Sequence, residues 1–395
     1  MADIVIYSKE WCPYCAKAKA LLRSKGLAFT DVDVTHDEKL QHEMVERSQR
    51  RSTPQIFIDG DSIGGYDDLA VLNATGRLDE RLGLEPVALR RLYDLIIIGA
   101  GPAGLSAALY AARKNISTLI IAMDIGGQVG TTAAVDNYLG VGHVSGPDLV
   151  QAMVEQLDGY DVEKLVGEQV TSIDPDGVAR LVRTASGREF CARAVVIATG
   201  AQKRHLGIPG ERELAGKGVV YCSTCDGPLF KDLRIAIVGG GNSALEAAIE
   251  MGGIASRVHL VSRGEWHADD ILQDKVTSSP NIEVLRGYAP VEIHGTHSVT
   301  GVTVRHADDD ATKRRLEVEG VFIEVGFSPN TSFALDLVEA NQIGEILADS
   351  HGRTGVKGVF AAGDAIETHH KQIVIAVGTG ARAALAASEY LISQV

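Results

Sequence analysis

The chain has 395 residues, 45% of them apolar, and carries a net charge of −14. That length predicts several domains, and that apolar content excludes a disordered chain. The acidic balance argues against nucleic acid or an anionic membrane surface as a partner.

In chain order, residues 3–8 ("DIVIYS") read as a short buried strand, and residues 13–25 show helical spacing that stops at Gly26. Residues 28–34 read as a second strand and residues 37–48 as a helix. "STPQIFIDG" is a strand entered through Pro54, "DSIGG" is its hairpin partner, and a last helix starts near Tyr66. This β-α-β-α-β-β-α order predicts a thioredoxin-like unit over residues 1–83, followed by a linker over 84–92. From Tyr93 a buried strand runs into a glycine-rich turn and a helix, and residues 233–248 repeat that design. Two doubly wound dinucleotide-binding domains are expected. Residues 93–204 and 328–395 form the first, and residues 205–327 form the second. The most apolar run, residues 95–112, is split by Gly-Ala-Gly-Pro and is read as strand plus helix, not as a membrane span. No basic, apolar leader is read, so a cytoplasmic protein is expected.

Of the five cysteines, four form two C-x-x-C pairs. Cys12 heads a helix, where the positive dipole end and unpaired N–H groups favour the thiolate, and Lys9 adds charge nearby. Cys12 is expected to attack and Cys15, one turn on, to resolve. Cys222 and Cys225 lie in "YCSTCDGP". Zinc is the alternative, but no second close C-x-x-C or His pair accompanies Cys12 and Cys15, a site joining the two pairs is disfavoured because each sits inside its own motif, and no metal is expected. Cys191 is read as a small buried apolar residue.

Gly99, Gly101 and Gly104 give a tight turn, room for a pyrophosphate and close packing of helix on strand. Asp124, 25 residues after Gly99, is a candidate ribose acid or a loop acid before the Gly-Gly turn. "GGGNSA" supplies Gly239, Gly241, Asn242, Ser243 and Ala244 for a second nucleotide. At the end of the next strand an acid would select NADH and a basic residue NADPH. Ser262 and Arg263 stand there, so NADPH is favoured and NADH is possible.

Residues 1 to about 83 resemble a class I dithiol glutaredoxin, on "CPYC", "RSTPQIFI" and "IGGYDDL". The resemblance implies a cis Pro54, and a glutathione site made by Lys9, Tyr14, Thr53, Pro54, Gly65, Asp67 and Asp68. Thr53 departs from the valine usual before that proline. Residues 93–395 resemble the low-molecular-weight thioredoxin reductases, on "GAGPAG", "GGQV", "DNYLG", "AVVIATGA", "GVFAAGDA" and "YCSTCDGP". That resemblance implies FAD, with contacts from Gly127, Gln128, Asn137, Thr199, Gly200, Gly363, Lys371, Gln372 and Ile373, and with Asp364 on the ribityl chain. It also implies that Cys225 faces the flavin, that Cys222 exchanges with the partner and that Asp226 is the general acid. A homodimer is implied, with rotation of the nucleotide domain about hinges near 203–206 and 326–330. The core is also similar to the flavoprotein component of alkyl hydroperoxide reductase, on "GGGNSALEAA", "GVFIEVGFSPNT" and "TGVKGVFAAGD". That flavoprotein uses NADH, reduces a peroxiredoxin, carries an acid where Ser262 stands here, and has a double thioredoxin-fold extension.

The expected α/β protein is thus a glutaredoxin domain followed by FAD and NAD(P) domains. It passes electrons from NAD(P)H through FAD and Cys222/Cys225 to Cys12/Cys15, and on to glutathione disulfide or glutathionylated proteins. The alternatives are a peroxiredoxin reductase, and a reductase with a degenerate nicotinamide site fed by another donor.

Overall fold

A computed structural model describes residues 2–84, 91–174 and 179–394. Most of the expected linker, residues 85–90, lies outside the described residues. The chain divides into two compact units. One comprises Met1–Val129, Val150–Gly200 and Asn330–Val395; the other comprises Gly130–Leu149 and Ala201–Pro329.

The N-terminal elements of the first unit are β1 (Ile4–Ser8), α1 (Pro13–Ser24), β2 (Thr30–Asp33), α2 (Glu38–Ser48), β3 (Gln55–Ile58), β4 (Asp61–Gly64), α3 (Tyr66–Ala74) and α4 (Arg77–Leu82). The sheet runs β2-β1-β3-β4, with β1 parallel to β2 and antiparallel to β3. Successive strand residues point to opposite faces. Ile6, Ile56 and Ile58 therefore join Leu22, Leu69 and Leu78 in one core, while Tyr7 and Phe57 join Val34 and Met44 in another. The single helix expected from Tyr66 is two helices. Gly76 sits between them at φ 77°, a left-handed conformation through which an α-helix cannot continue.

The rest of the first unit is built on β5 (Leu92–Ala100), α5 (Pro102–Ala112), β6 (Thr118–Ile125), α6 (Gly146–Asp158, whose first turn belongs to the second unit), β7 (Val162–Val166), β8 (Val170–Asp174), β9 (Arg180–Thr184), β10 (Glu189–Ile197), β21 (Val359–Ala361) and α10 (Ile373–Ser393). Strands β7, β6, β5, β10 and β21 run parallel, and the β8–β9 hairpin extends the sheet beside β10. Cys191 is fully buried in β10, as its surroundings predict. Helices α5 and α10 pack backbone to backbone. A Cβ added at Gly380 would fall 2.0 Å from the Ala103 carbonyl oxygen.

The second unit holds β11 (Ala201–Lys203), β12 (Val219–Val220), α7 (Ser223–Asp226), β13 (Arg234–Val238), α8 (Asn242–Gly252), β14 (Arg257–Ser262), α9 (Asp270–Ser278), β15 (Ile282–Arg286), β16 (Tyr288–Gly295), β17 (Val299–His306), β18 (Asp309–Leu316), β19 (Gly320–Ile323) and β20 (Phe327–Pro329). A parallel sheet runs β12-β19-β13-β14-β15, and β16-β17-β18 form an antiparallel sheet beside it. In both units the glycine turn follows the carboxyl end of a central parallel strand, where doubly wound sheets bind ligands. Among the described residues no helix is long and apolar enough to cross a membrane.

Candidate functional site

The first redox pair sits where β1 gives way to α1. Cys12 caps the helix: its Sγ accepts a hydrogen bond from the Cys15 N–H at 3.1 Å, and Pro13 fills the first helical position without wasting a donor. The two cysteines form a disulfide with Cα atoms 5.1 Å apart. Cys15 is buried and Cys12 is partly exposed, so the outer sulfur is the one a partner can reach. Across from it the Thr53–Pro54 peptide is cis, and the Thr53 carbonyl oxygen lies 3.5 Å from Cys12 Sγ. Tyr14 is half exposed beside this surface, with its ring 6.3 Å from that of Tyr66.

Lys9 and Gly65 are partly exposed and Asp67 is exposed. Partial desolvation where its carboxyl meets the surface, with the charge of neighbouring Asp68, pushes Asp67 above the usual carboxylate range. Asp68 has a structural task. Its Oδ2 accepts the Gly65 N–H at 2.8 Å and an Arg50 Nη1 at 2.7 Å, closing the first turn of α3.

The first dinucleotide cradle lies between β5 and α5. Gly99 has φ 107°, and a Cβ there would fall 2.3 Å from the Ala198 carbonyl oxygen. A Cβ on Gly104 would fall 1.9 Å from the Gly99 carbonyl oxygen, whereas one on Gly101 would meet nothing within 4 Å. The outer glycines are thus steric necessities, and the middle one leaves an open backbone face for a phosphate. Thr199 Oγ1, in the turn with Gly200, is buried without a hydrogen-bond partner among the described residues. Both features fit a dinucleotide such as FAD. Asp124 accepts the Gly127 N–H at 3.0 Å and so shapes the turn that carries Gln128. Asn137 lies in the 130–149 segment of the second unit.

Gly363 and Asp364 follow β21 and adjoin the same cradle: a Cβ on Gly363 would fall 2.8 Å from the Ala103 side chain. The Gly363 N–H donates to Thr379 Oγ1 at 3.0 Å. Lys371 Nζ donates to the Asp364 carbonyl at 3.1 Å and pairs with Glu345 at 2.7 Å, with both side chains largely buried. Gln372 is the N-cap residue of α10 and Ile373 its first residue.

The second cradle lies between β13 and α8. Gly239 has φ 155°, and its added Cβ would fall 2.3 Å from the Glu324 carbonyl oxygen and 2.7 Å from the Ala244 side chain. Gly241, like Gly101, faces open space. Asn242 is committed to Asp269: it accepts the Asp269 N–H at 2.9 Å and donates back to its carboxylate at 3.1 Å. Ser243 follows in the first turn of α8. At the end of β14, Ser262 is buried and donates to the Gly264 carbonyl at 3.1 Å, while Arg263 is exposed. Trp266 Nε1 is buried without a partner among the described residues, and the Arg286 guanidinium stacks on its ring at 3.8 Å.

The second redox pair shares this unit. Cys222 Sγ accepts the Cys225 N–H at 3.1 Å, and the pair forms a disulfide with Cα atoms 5.3 Å apart. Burial pushes the Asp226 carboxyl up, Asp136 adds to the rise and Lys203 opposes it. A carboxyl moved that way suits the general acid expected at this position. Three further groups were not singled out from the sequence. Glu324 lies just past β19, and burial pushes its carboxyl up to about 7. Lys203, on β11, is the cation acting on both Asp226 and Glu324. Glu211 is buried and accepts the N–H groups of Leu206 and Gly207 at 3.1 and 2.7 Å and the Tyr221 hydroxyl at 2.9 Å. Burial alone would raise Glu211, but these donors hold it below the usual range. Glutamates in strand-end and loop positions carry no sequence signal of burial.

Two dinucleotide cradles and two self-contained dithiols on one chain define a pyridine-nucleotide-linked disulfide oxidoreductase. Comparison with known proteins agrees. A family model for pyridine nucleotide-disulphide oxidoreductase matches residues 93–380, and one for glutaredoxin matches residues 4–63. The chain is 38% identical over 391 residues to the F subunit of alkyl hydroperoxide reductase from Pseudomonas putida, covering 96% of this chain and 74% of that protein. Among solved structures it is similar to thioredoxin reductase from Streptococcus pyogenes (TM-score 0.73, 39% identity, 76% of this chain and 99% of that one). It is also similar to thioredoxin reductase from Giardia duodenalis (TM-score 0.74, 35% identity, 77% and 100%). The chain belongs to the pyridine nucleotide-disulphide oxidoreductase family. Within it, the chain is a disulfide reductase of the type shared by thioredoxin reductase and the F subunit of alkyl hydroperoxide reductase, with an N-terminal glutaredoxin domain. That membership implies FAD and a pyridine nucleotide as cofactors.

Proposed function

We propose that this enzyme reduces the disulfide of a peroxiredoxin, by a relay from a pyridine nucleotide through FAD and Cys222/Cys225 to Cys12/Cys15. The observation that carries the acceptor is the likeness to the F subunit of alkyl hydroperoxide reductase, which extends over 96% of the chain and so includes the glutaredoxin domain. FAD, when bound, converts a hydride into electrons that can open a disulfide. The chain's own contributions are the backbone cradle at Gly99–Gly104, the open face at Gly101, and the Asp364–Lys371 corner. Thr199 has a hydroxyl to offer the same group. In the relay, Cys222 attacks the Cys12–Cys15 disulfide, with Asp226 as the acid that protonates a departing thiolate. Cys12, helix-capping and partly exposed, then attacks the acceptor, and buried Cys15 resolves the mixed disulfide.

A second acceptor has its own support. The half-exposed Tyr14, the Thr53 carbonyl beside the cis Pro54, and the Lys9, Gly65 and Asp67 surface favour glutathione disulfide or a glutathionylated protein. Turnover with a peroxiredoxin and a hydroperoxide, set against turnover with glutathione disulfide, separates the two. The first is expected to be faster, and the reverse order refutes the peroxiredoxin reading.

NADPH is favoured over NADH on the exposed Arg263 and the absence of an acid at Ser262. Paired anaerobic titrations with NADPH and NADH, read by flavin absorbance, test this, and no bleaching by either would favour another electron donor. Covalent fusion supplies an effective concentration of roughly millimolar for the glutaredoxin. Cutting between residues 84 and 91 is therefore expected to slow acceptor reduction in dilute solution, and equal rates for the separated halves would refute an intramolecular relay. A cytoplasmic homodimer is the form this reading assumes.

A further inference from the structure

Glu324 lies outside both "GGGNSA" and "YCSTCDGP", yet it touches both working parts of the second unit. Its N–H donates to the Val238 carbonyl at 2.8 Å, continuing β19 past its last residue against the end of β13. Its carbonyl oxygen is the atom that a Cβ on Gly239 would strike, so its backbone abuts the second nucleotide turn. Its carboxylate accepts a hydrogen bond from the backbone N–H of Ser223, which lies between the two redox cysteines and next to Cys222. The Glu324 carboxylate is therefore bonded to the peptide N–H that directly follows Cys222.

The groups facing this spot come from every neighbouring element. Lys203 of β11 is the cation. Glu250 of α8 adds negative charge and accepts the Ser223 hydroxyl at 3.0 Å. Asp226 of α7 lies at the other end of the same dithiol turn, with Asp136 acting on it. Charge on both Glu324 and Asp226 beside a thiolate, with Lys203 the cation acting on both, is opposed by repulsion. Glu324 already titrates near neutrality while the pair is a disulfide, with its carboxyl at about 7.

We propose that Glu324 is the proton-holding positioning residue of the Cys222–Cys225 pair, gaining a proton when the disulfide is reduced and releasing it when the dithiol is oxidised. The inference rests on the disulfide-reductase chemistry of the family and not on which acceptor follows. Reduction breaks the S–S bond and adds two electrons, which the family's reduced flavin supplies. One proton goes to one sulfur and a second goes to Glu324, so the other sulfur stays a thiolate. That thiolate attacks the next disulfide. When the pair re-forms its S–S bond, the thiol proton and the Glu324 proton leave for the two sulfurs of the acceptor, and charge and atoms balance.

The test uses the FAD-loaded full chain carrying Cys12→Ser and Cys15→Ser, so that only one accessible pair reports. After reduction, the rate of alkylation by iodoacetamide is followed against pH with and without Glu324→Gln. The variant keeps an acceptor for the Ser223 N–H but cannot ionise. It is expected to react roughly threefold faster at pH 9, where wild-type Glu324 has lost its proton even beside the reduced pair, and at an unchanged rate at pH 5.5. Profiles that superimpose, or that differ by the same factor at every pH, overturn the proposal. A second measurement does not depend on that variant folding. The reduced-minus-oxidised infrared difference spectrum of the otherwise unsubstituted chain at pH 7.5 is expected to gain a protonated-carboxyl band that survives Asp226→Asn. Absence of that band, or its loss with Asp226→Asn, also overturns the proposal.

Discussion

The two dithiols of this chain share a local design and differ in almost everything around it. In each, the first cysteine caps a helix, its sulfur accepts the N–H of the second cysteine at 3.1 Å, and the Cα atoms lie 5.1 or 5.3 Å apart. The spacing alone dictates this much, because residues i and i+3 of a first helical turn face each other. The surroundings then diverge. Cys12 faces a cis proline and a carbonyl at an open surface, and its partner Cys15 is buried. Cys225 is exposed, Cys222 is partly buried, and the neighbours of that pair are carboxyls pushed upward by burial. In the proposed relay the first pair meets the acceptor, and the second manages protons while electrons pass through it.

This contrast can be broken at several points. Replacing either attacking sulfur should have the largest effect: Cys12→Ser or Cys222→Ser is expected to lower acceptor reduction by more than about a hundredfold in steady-state turnover. Only Cys12→Ser should leave the Cys222–Cys225 pair reducible by the pyridine nucleotide. Asp226→Asn is expected to slow acceptor turnover by about a hundredfold while leaving the flavin spectrum unchanged.

The remaining effects are on stability. Glu211→Gln removes a carboxylate bonded to the Leu206 and Gly207 N–H groups, in the stretch that follows Lys203. It should cost about 3 kcal/mol at pH 7 in denaturant unfolding. Its depressed carboxyl contributes stability above its unfolded value, and that contribution is lost as the pH falls. Glu324 works with the opposite sign. Its carboxyl rises from 4.5 to about 7 on folding, so the native state holds a proton that the unfolded chain has released. Stability therefore falls as pH rises from about 4.5 to 7. Glu324→Gln should stabilise the chain by about 2 kcal/mol at pH 8, after allowance for part exposure, and by nothing at pH 4.

Much of the architecture was legible because it repeats strong patterns. The apolar strand at Tyr93–Ile98 followed by spaced glycines can hardly be read otherwise, and the second copy at Arg234–Val238 confirmed the period. The CPYC and CSTC turns were legible for the same reason. The split of the helix after Tyr66 was missed because one glycine in a helical pattern does not announce its left-handed φ. The three antiparallel strands over 288–316 were not assigned, since their mixed polar sequence carries a weak alternation. Asp68 was read as a ligand contact, yet its oxygen also closes its own helix turn against Gly65 and Arg50. Glu324, Glu211 and Lys203 escaped for a different reason. Their roles come from non-local burial, and nothing within a few residues of each encodes it.

The most direct test of the relay is thiol trapping after anaerobic reduction of the full chain by its pyridine nucleotide, with no acceptor present. Cys12 and Cys15 are predicted to become alkylatable in the native protein and to remain a disulfide in Cys222→Ser. Equal labelling of Cys12 and Cys15 in the two proteins would contradict the account, because electrons would then reach the glutaredoxin without passing through the second dithiol.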